Sequence, residues 1–159
     1  MTEYHDYVLR HGMNTVQEIQ KRLFLQPLPN LVAKLRYSRR LERAWQLIEK
    51  DYADPALNLQ KVAKTCGISK NHLNVLFRQA TGFTVHQLLI RYRLSSAVTL
   101  MSTKNYSLLE IALQSGFGSL SAFERNFRKV IGLPPLHLRR IGIYAEENGI
   151  SDETQEPSS

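Results

Sequence analysis

A single cysteine, Cys66, stands among 159 residues, so an internal disulfide is excluded. The five histidines, His5, His11, His72, His86 and His137, form no His-x-x-x-His pair and have no carboxylate or thiol at ligand spacing. No metal site is expected from them. No run of about 18 apolar residues exists, which excludes a helix crossing a membrane. Glu3 and Asp6 sit where a secretory leader needs positive charge, so a reducing cytoplasm is the expected compartment. A G-x-S-x-G turn, a phosphate-binding loop and a zinc-ligand set are also missing, and neither an enzyme nor a cofactor is expected. No stretch alternates apolar and polar residues convincingly with period two, so no sheet is expected either.

What is plentiful is positive charge, and it is unevenly placed. The formal net charge is +7. Residues 39–140 hold 16 Lys and Arg against 6 Asp and Glu, a surplus of ten, whereas residues 141–159 hold five acids and no base. Residues 1–38 carry 5 basic and 3 acidic residues. A basic module followed by an acidic polar tail suits a polyanionic partner, although a cationic face can also be merely solvated.

The apolar pattern is helical throughout. Leu41, Trp45, Ile48 and Tyr52 make one stripe, which Asp54-Pro55 brings to an end. Asn58 is placed to cap a short helix with Leu59, Val62, Ala63 and Cys66 inward, closed by Gly67. Ser69 opens the next, with Leu73, Leu76, Phe77 and Ala80 inward and Gly82 beyond its end. Thr84 and Gln87 have the spacing of a capping box for a long helix over about 84–102, and Ser107 and Glu110 repeat that spacing before a short helix ending near Gly116. Pro135 suits the first turn of a final helix through Arg140. Val16, Ile19, Leu23 and Phe24 share a helical face before the prolines of residues 26–30. The tail from about Ala145 reads as disordered.

An internal repeat decides the architecture. "VAKTCGISKNHLNVLFRQATGF" (62–83) aligns with "IALQSGFGSLSAFERNFRKVIGL" (111–133). Val62, Ala63 and Gly67 match Ile111, Ala112 and Gly116 at an offset of 49. After one extra residue in the second turn, Ser69, Leu73, Phe77, Arg78 and Gly82 match Ser119, Phe123, Phe127, Arg128 and Gly132 at an offset of 50. Helix, tight turn, helix, twice over, is a double helix-turn-helix pattern. The chain is expected to be all-α, with two such subdomains joined by one linker helix.

The second helix of such a motif packs one face on the first and offers the other to the DNA major groove. In the second unit Leu120, Phe123, Phe127, Val130 and Ile131 form the inner face. Ser121, Ala122, Arg125, Arg128 and Lys129 form the outer one. The small residues allow close approach, and Arg125 can meet a guanine edge with two hydrogen bonds. In the first unit the outer stripe is Lys70, Asn71, Asn74, Val75 and Arg78. There Asn74 can read adenine and Val75 can meet a thymine methyl. Arg78, Arg128 and Lys129 suit phosphates or solvent equally well.

Residues 39–140 resemble the DNA-binding domain of AraC/XylS-family transcription regulators. The second unit carries the likeness best, through Glu110-Ile111-Ala112, Gly116-Phe117, Phe123, Arg125, Phe127, Gly132, Pro134 or Pro135, and Arg139. The resemblance implies a seven-helix bilobed domain over about 39–143, preceded by a helical extension (1–38) and followed by the acidic tail (144–159). It implies double-stranded DNA at promoter or operator sites as partner, RNA polymerase as the machinery acted upon, and a cytoplasmic regulator. The family's base-reading positions fall on Asn71, Asn74 and Val75, then on Ser121, Ala122 and Arg125. Two departures stand out. Val75 replaces what is often a long polar or basic side chain, and Leu138-Arg139 replaces the family's Tyr-Arg. The first 38 residues are too few for the sensory domain many members carry, so the chain reads as the C-terminal part of a larger regulator or as a short stand-alone member. The competing reading is an AraC-like protein-interaction module or antagonist that has lost specific DNA readout.

Overall fold

A computed structural model of the chain describes residues 39–101 and 106–139. The expected N-terminal helical face, the acidic tail and Arg140 lie outside the described residues. Among these there are helices and no strand. The elements are α1 (Arg39–Asp51), α2 (Leu59–Cys66), α3 (Lys70–Thr81), α4 (Val85–Met101), α5 (Leu108–Gln114) and α6 (Leu120–Ile131), with a seventh helical stretch over 135–139.

The caps form where local chemistry places them. Asn58 Oδ1 accepts from the Lys61 N–H at 2.9 Å, and Ser69 Oγ accepts from His72 N–H at 3.2 Å. The Thr84–Gln87 box is reciprocal, at 3.2 and 3.0 Å, and so is the Ser107–Glu110 box, at 3.1 and 2.7 Å. Those bonds from Ser107 hold the Glu110 carboxyl below its ordinary pKa. At each of these four helix starts an otherwise orphan donor thus finds an acceptor.

The two turns of the repeat share two matching backbone bonds. Ile68 N–H donates to the Ala63 carbonyl at 3.1 Å, and Phe117 N–H donates to the Ala112 carbonyl at 3.0 Å. Gly67 and Gly116 N–H reach the Lys64 and Leu113 carbonyls, both at 3.2 Å.

Two apolar cores result, and α4 belongs to both. Val85, Leu88 and Leu89 pack with Leu41, Trp45, Ile48, Val62, Leu73 and Phe77. Ile90, Leu94, Ala97, Val98 and Met101 pack with Ile111, Phe117, Phe123, Phe127 and Ile131. The linker therefore carries apolar residues nearly all round, as a helix wrapped by protein must. Cys66 is buried in the first core, and burial raises its thiol pKa. Some residues expected inward, Leu59, Leu76, Leu120 and Val130, are only half-buried at the margins of the cores.

Candidate nucleic-acid interface

In α6 the inner face is set by Phe123 and Phe127, both fully buried, with rings edge-on at 5.5 Å. Phe117, from the turn, packs on Phe123 at 5.4 Å. Ser119 Oγ accepts from Ala122 N–H at 3.1 Å, so the first turn is fixed rather than frayed. Opposite the phenylalanines, Ser121, Arg125, Arg128 and Lys129 are exposed and Ala122 is half-buried. The sequence-derived stripe is thus brought together on one free face. Glu124, which the sequence reading passed over, is exposed beside it.

In α3 the inner face consists of Leu73, Phe77, Ala80 and Thr81. Lys70, Asn71 and Arg78 are exposed, and Val75 is half exposed at 50%. An apolar side chain is thus left open to this extent, among the described residues, on a helix whose opposite face is well packed. Asn74 differs from the others. It is half-buried, and its Oδ1 accepts from Val85 N–H, the first amide of the linker helix, at 3.1 Å. Two-point reading of adenine needs both carboxamide atoms turned to the base, and here the bond from Val85 holds the carboxamide toward α4.

The linker positions the two faces. Tyr92 on α4 stacks on Tyr52 at 5.9 Å, meets Trp45 edge-on at 5.7 Å, and donates its hydroxyl to Glu49 Oε1 at 3.1 Å. Burial first, then the Glu49 charge and hydrogen bond, push the tyrosine pKa well up, so the hydroxyl stays a donor. Next to it Arg93, only 7% exposed, reaches the loop between α1 and α2. Burial draws its pKa down and the Asp54 carboxylate opposes that, which leaves an arginine charged at any ordinary pH. Sequence reading missed Arg93 because it looks like one more basic residue on a basic helix. At the far end Leu138 is buried, which accounts for an apolar residue there, and Arg139 donates to the Tyr106 carbonyl.

Comparison with known proteins agrees with this fold. A family model described as a helix-turn-helix domain matches residues 62–141, half of the chain. The chain belongs to the AraC family of helix-turn-helix transcription regulators. Among AraC-type relatives, the melibiose operon regulatory protein of Escherichia coli is 31% identical over 88 residues, covering 55% of this chain and 29% of that protein. The probable transcription factor PqrA of Proteus vulgaris is 33% identical over 86 residues, 54% of this chain and 70% of PqrA. The chain therefore spans less than a third of the melibiose regulator. Two solved AraC-type folds are similar. The C-terminal domain of AraT, a response regulator from Geobacillus stearothermophilus, has a TM-score of 0.62 at 29% identity, covering 65% of this chain and 85% of that one. The DNA-binding domain of AdpA, a global transcriptional factor in complex with a target DNA, has a TM-score of 0.60 at 26% identity, covering 67% and 94%. The family is one of regulators, not of enzymes. No helix among the described residues is long and apolar enough to cross a membrane.

Proposed function

We propose that this AraC-type chain regulates transcription by sequence-specific binding to double-stranded DNA, with α3 and α6 entering successive major grooves on one face of the duplex. The outer face of α6 carries the reading. Its small N-terminal residues, Ser121 and Ala122, admit the helix to the groove floor, and Arg125 one turn later supplies a two-pronged donor for guanine. Arg128 and Lys129, farther along, meet phosphates, as do Lys70 and Arg78 on α3. Asn71 and Val75 face the second groove, where a valine reads a thymine methyl or shape. Asn74 acts there mainly through the placement of α3.

The linker fits this task. Its 17 residues span about 26 Å at ~1.5 Å per residue, and successive grooves lie about 34 Å apart. The shortfall, less the width of the two motifs, favours DNA bent toward the protein. Bound at a promoter, such a protein acts through RNA polymerase.

Binding should be strongly salt-dependent. With ~6–8 phosphates neutralised, log K against log salt has a slope of about −5 to −7. Selection from a random DNA pool should return a non-palindromic site with two blocks about 10 base pairs apart, because the units stand in tandem within one chain. A slope shallower than about −2, or a selected pool without sequence preference, would favour an interaction module that has kept the fold and lost its readout.

A further inference from the structure

Gly67 and Gly116 occupy equivalent places in the two turns, and both have positive φ, 66° and 93°. Their surroundings differ. A Cβ on Gly67 would meet nothing within 4 Å. A Cβ on Gly116 would stand 2.5 Å from the Tyr52 carbonyl oxygen and 3.0 Å from two backbone atoms of Ala53. Tyr52 and Ala53 lie in the other lobe, in the loop between α1 and α2. The turn of the second unit is thus seated on backbone of the first, and its glycine is demanded by that seat as well as by the turn.

The seat is itself rigid. Arg93 grips it from the linker helix, with Nε donating to the Tyr52 carbonyl at 2.8 Å and Nη2 to the Asp54 and Leu57 carbonyls at 2.9 and 3.2 Å. The loop's own amides close on Asp54, Leu57 N–H to its carbonyl at 3.1 Å and Ala56 N–H to its carboxylate at 2.8 Å. One oxygen, that of Tyr52, therefore accepts from the linker and lies against the second lobe. A single helix between two bodies leaves them free to swing as it flexes. A second point of contact closes the triangle.

We propose that Gly116 and Arg93 are positioning residues that fix the relative orientation of α3 and α6, and with it the one block spacing in DNA that both helices can read together. The proposal rests on the two-groove reading above, and its test separates the two.

In a Cys66→Ala background, spin labels at Lys64→Cys on α2 and Gln114→Cys on α5 report the distance between lobes in the free protein. One narrow distance distribution is expected for this reference and for Gly67→Ala, which bears a positive-φ alanine without the collision. Gly116→Ala should broaden or shift the distribution while circular dichroism shows the helices intact. A broad reference distribution, or one unchanged by Gly116→Ala, would overturn the proposal. On DNA, sites with the two blocks moved by one base pair should lose at least ~5-fold in affinity for the reference and under ~2-fold for Gly116→Ala, since a rigid spacer gains from the second contact only at one span. Equal spacing discrimination by both proteins would also overturn it. A reference protein that shows no two-block preference removes the two-groove reading alone, because the distance measurement still decides the junction. If Gly116→Ala does not fold, Arg93→Lys takes its place. It keeps the charge but not the fork that spans three carbonyls, and an unchanged distribution there refutes the idea.

Discussion

Fifty residues separate matching positions of the two recognition helices, and the pairs Asn74/Glu124 and Val75/Arg125 show how far one pattern has diverged. In the first unit the asparagine is held by the linker helix and the next residue is a half-exposed valine. In the second, both positions are exposed and charged. Inner faces have stayed alike, with Leu73 and Phe77 answering to Phe123 and Phe127, all four fully buried. A core position is constrained by its neighbours on every side. The outer stripe has no such constraint, and in the first unit part of it has become a brace.

That comparison can be broken in order of expected effect. If the cores are equivalent, Phe77→Ala and Phe127→Ala should each destabilise by about 3–5 kcal/mol in chemical denaturation, through lost burial and the cavity left behind. A loss confined to one of them would mean the lobes are not equally packed. Arg125→Ala should weaken specific binding by about 1–3 kcal/mol and relax preference at one base pair, measured by competition on a selected site. Asn74→Ala should cost stability of about 0.5–2 kcal/mol, as for other lost helix caps, and leave base preference unchanged. A changed preference at adenine would restore Asn74 to the reading face. Val75→Ala should lower affinity by less than about 1 kcal/mol, because only a methyl contact is removed. Equal losses from Val75→Ala and Arg125→Ala would end the proposed division of labour.

Much of the fold was legible because its signals are short-ranged. Asn58, Ser69, Thr84, Ser107 and Ser119 all cap within three residues, and the Phe123–Phe127 stripe needs only helical periodicity. The offset of the repeat gave both turns, including the extra residue of the second, where Gly118 joins Gly116 at positive φ. The outer stripe of α6 follows from the same periodicity. The remaining features are contacts made at a distance along the chain. Arg93 meets residues 36 to 41 positions earlier, and Gly116 meets Tyr52. Neither leaves a periodic trace. Asn74 combines both kinds of signal: periodicity places it on the outer stripe, but the stripe's edge touches Val85, eleven residues on.

The shared helix α4 has a consequence for how such a protein can change. Its residues are divided between two cores by phase, Leu88 and Leu89 facing one and Ile90 and Leu94 the other. Inserting one residue would lengthen the spacer by only ~1.5 Å but rotate everything beyond it by ~100°, taking half of those residues out of their core. Seven added residues nearly restore the phase and add ~10 Å, about three base pairs, which is roughly a third of a DNA turn. On the two-groove reading proposed above, the second lobe would then stand about a third of a turn out of phase with its groove. Protein and nucleic-acid helices have incommensurate pitches, so neither short nor two-turn insertions keep both registers. If both helices read DNA as proposed, a lineage built on this linker can revise what it reads residue by residue, but the gap between its two words is inherited whole.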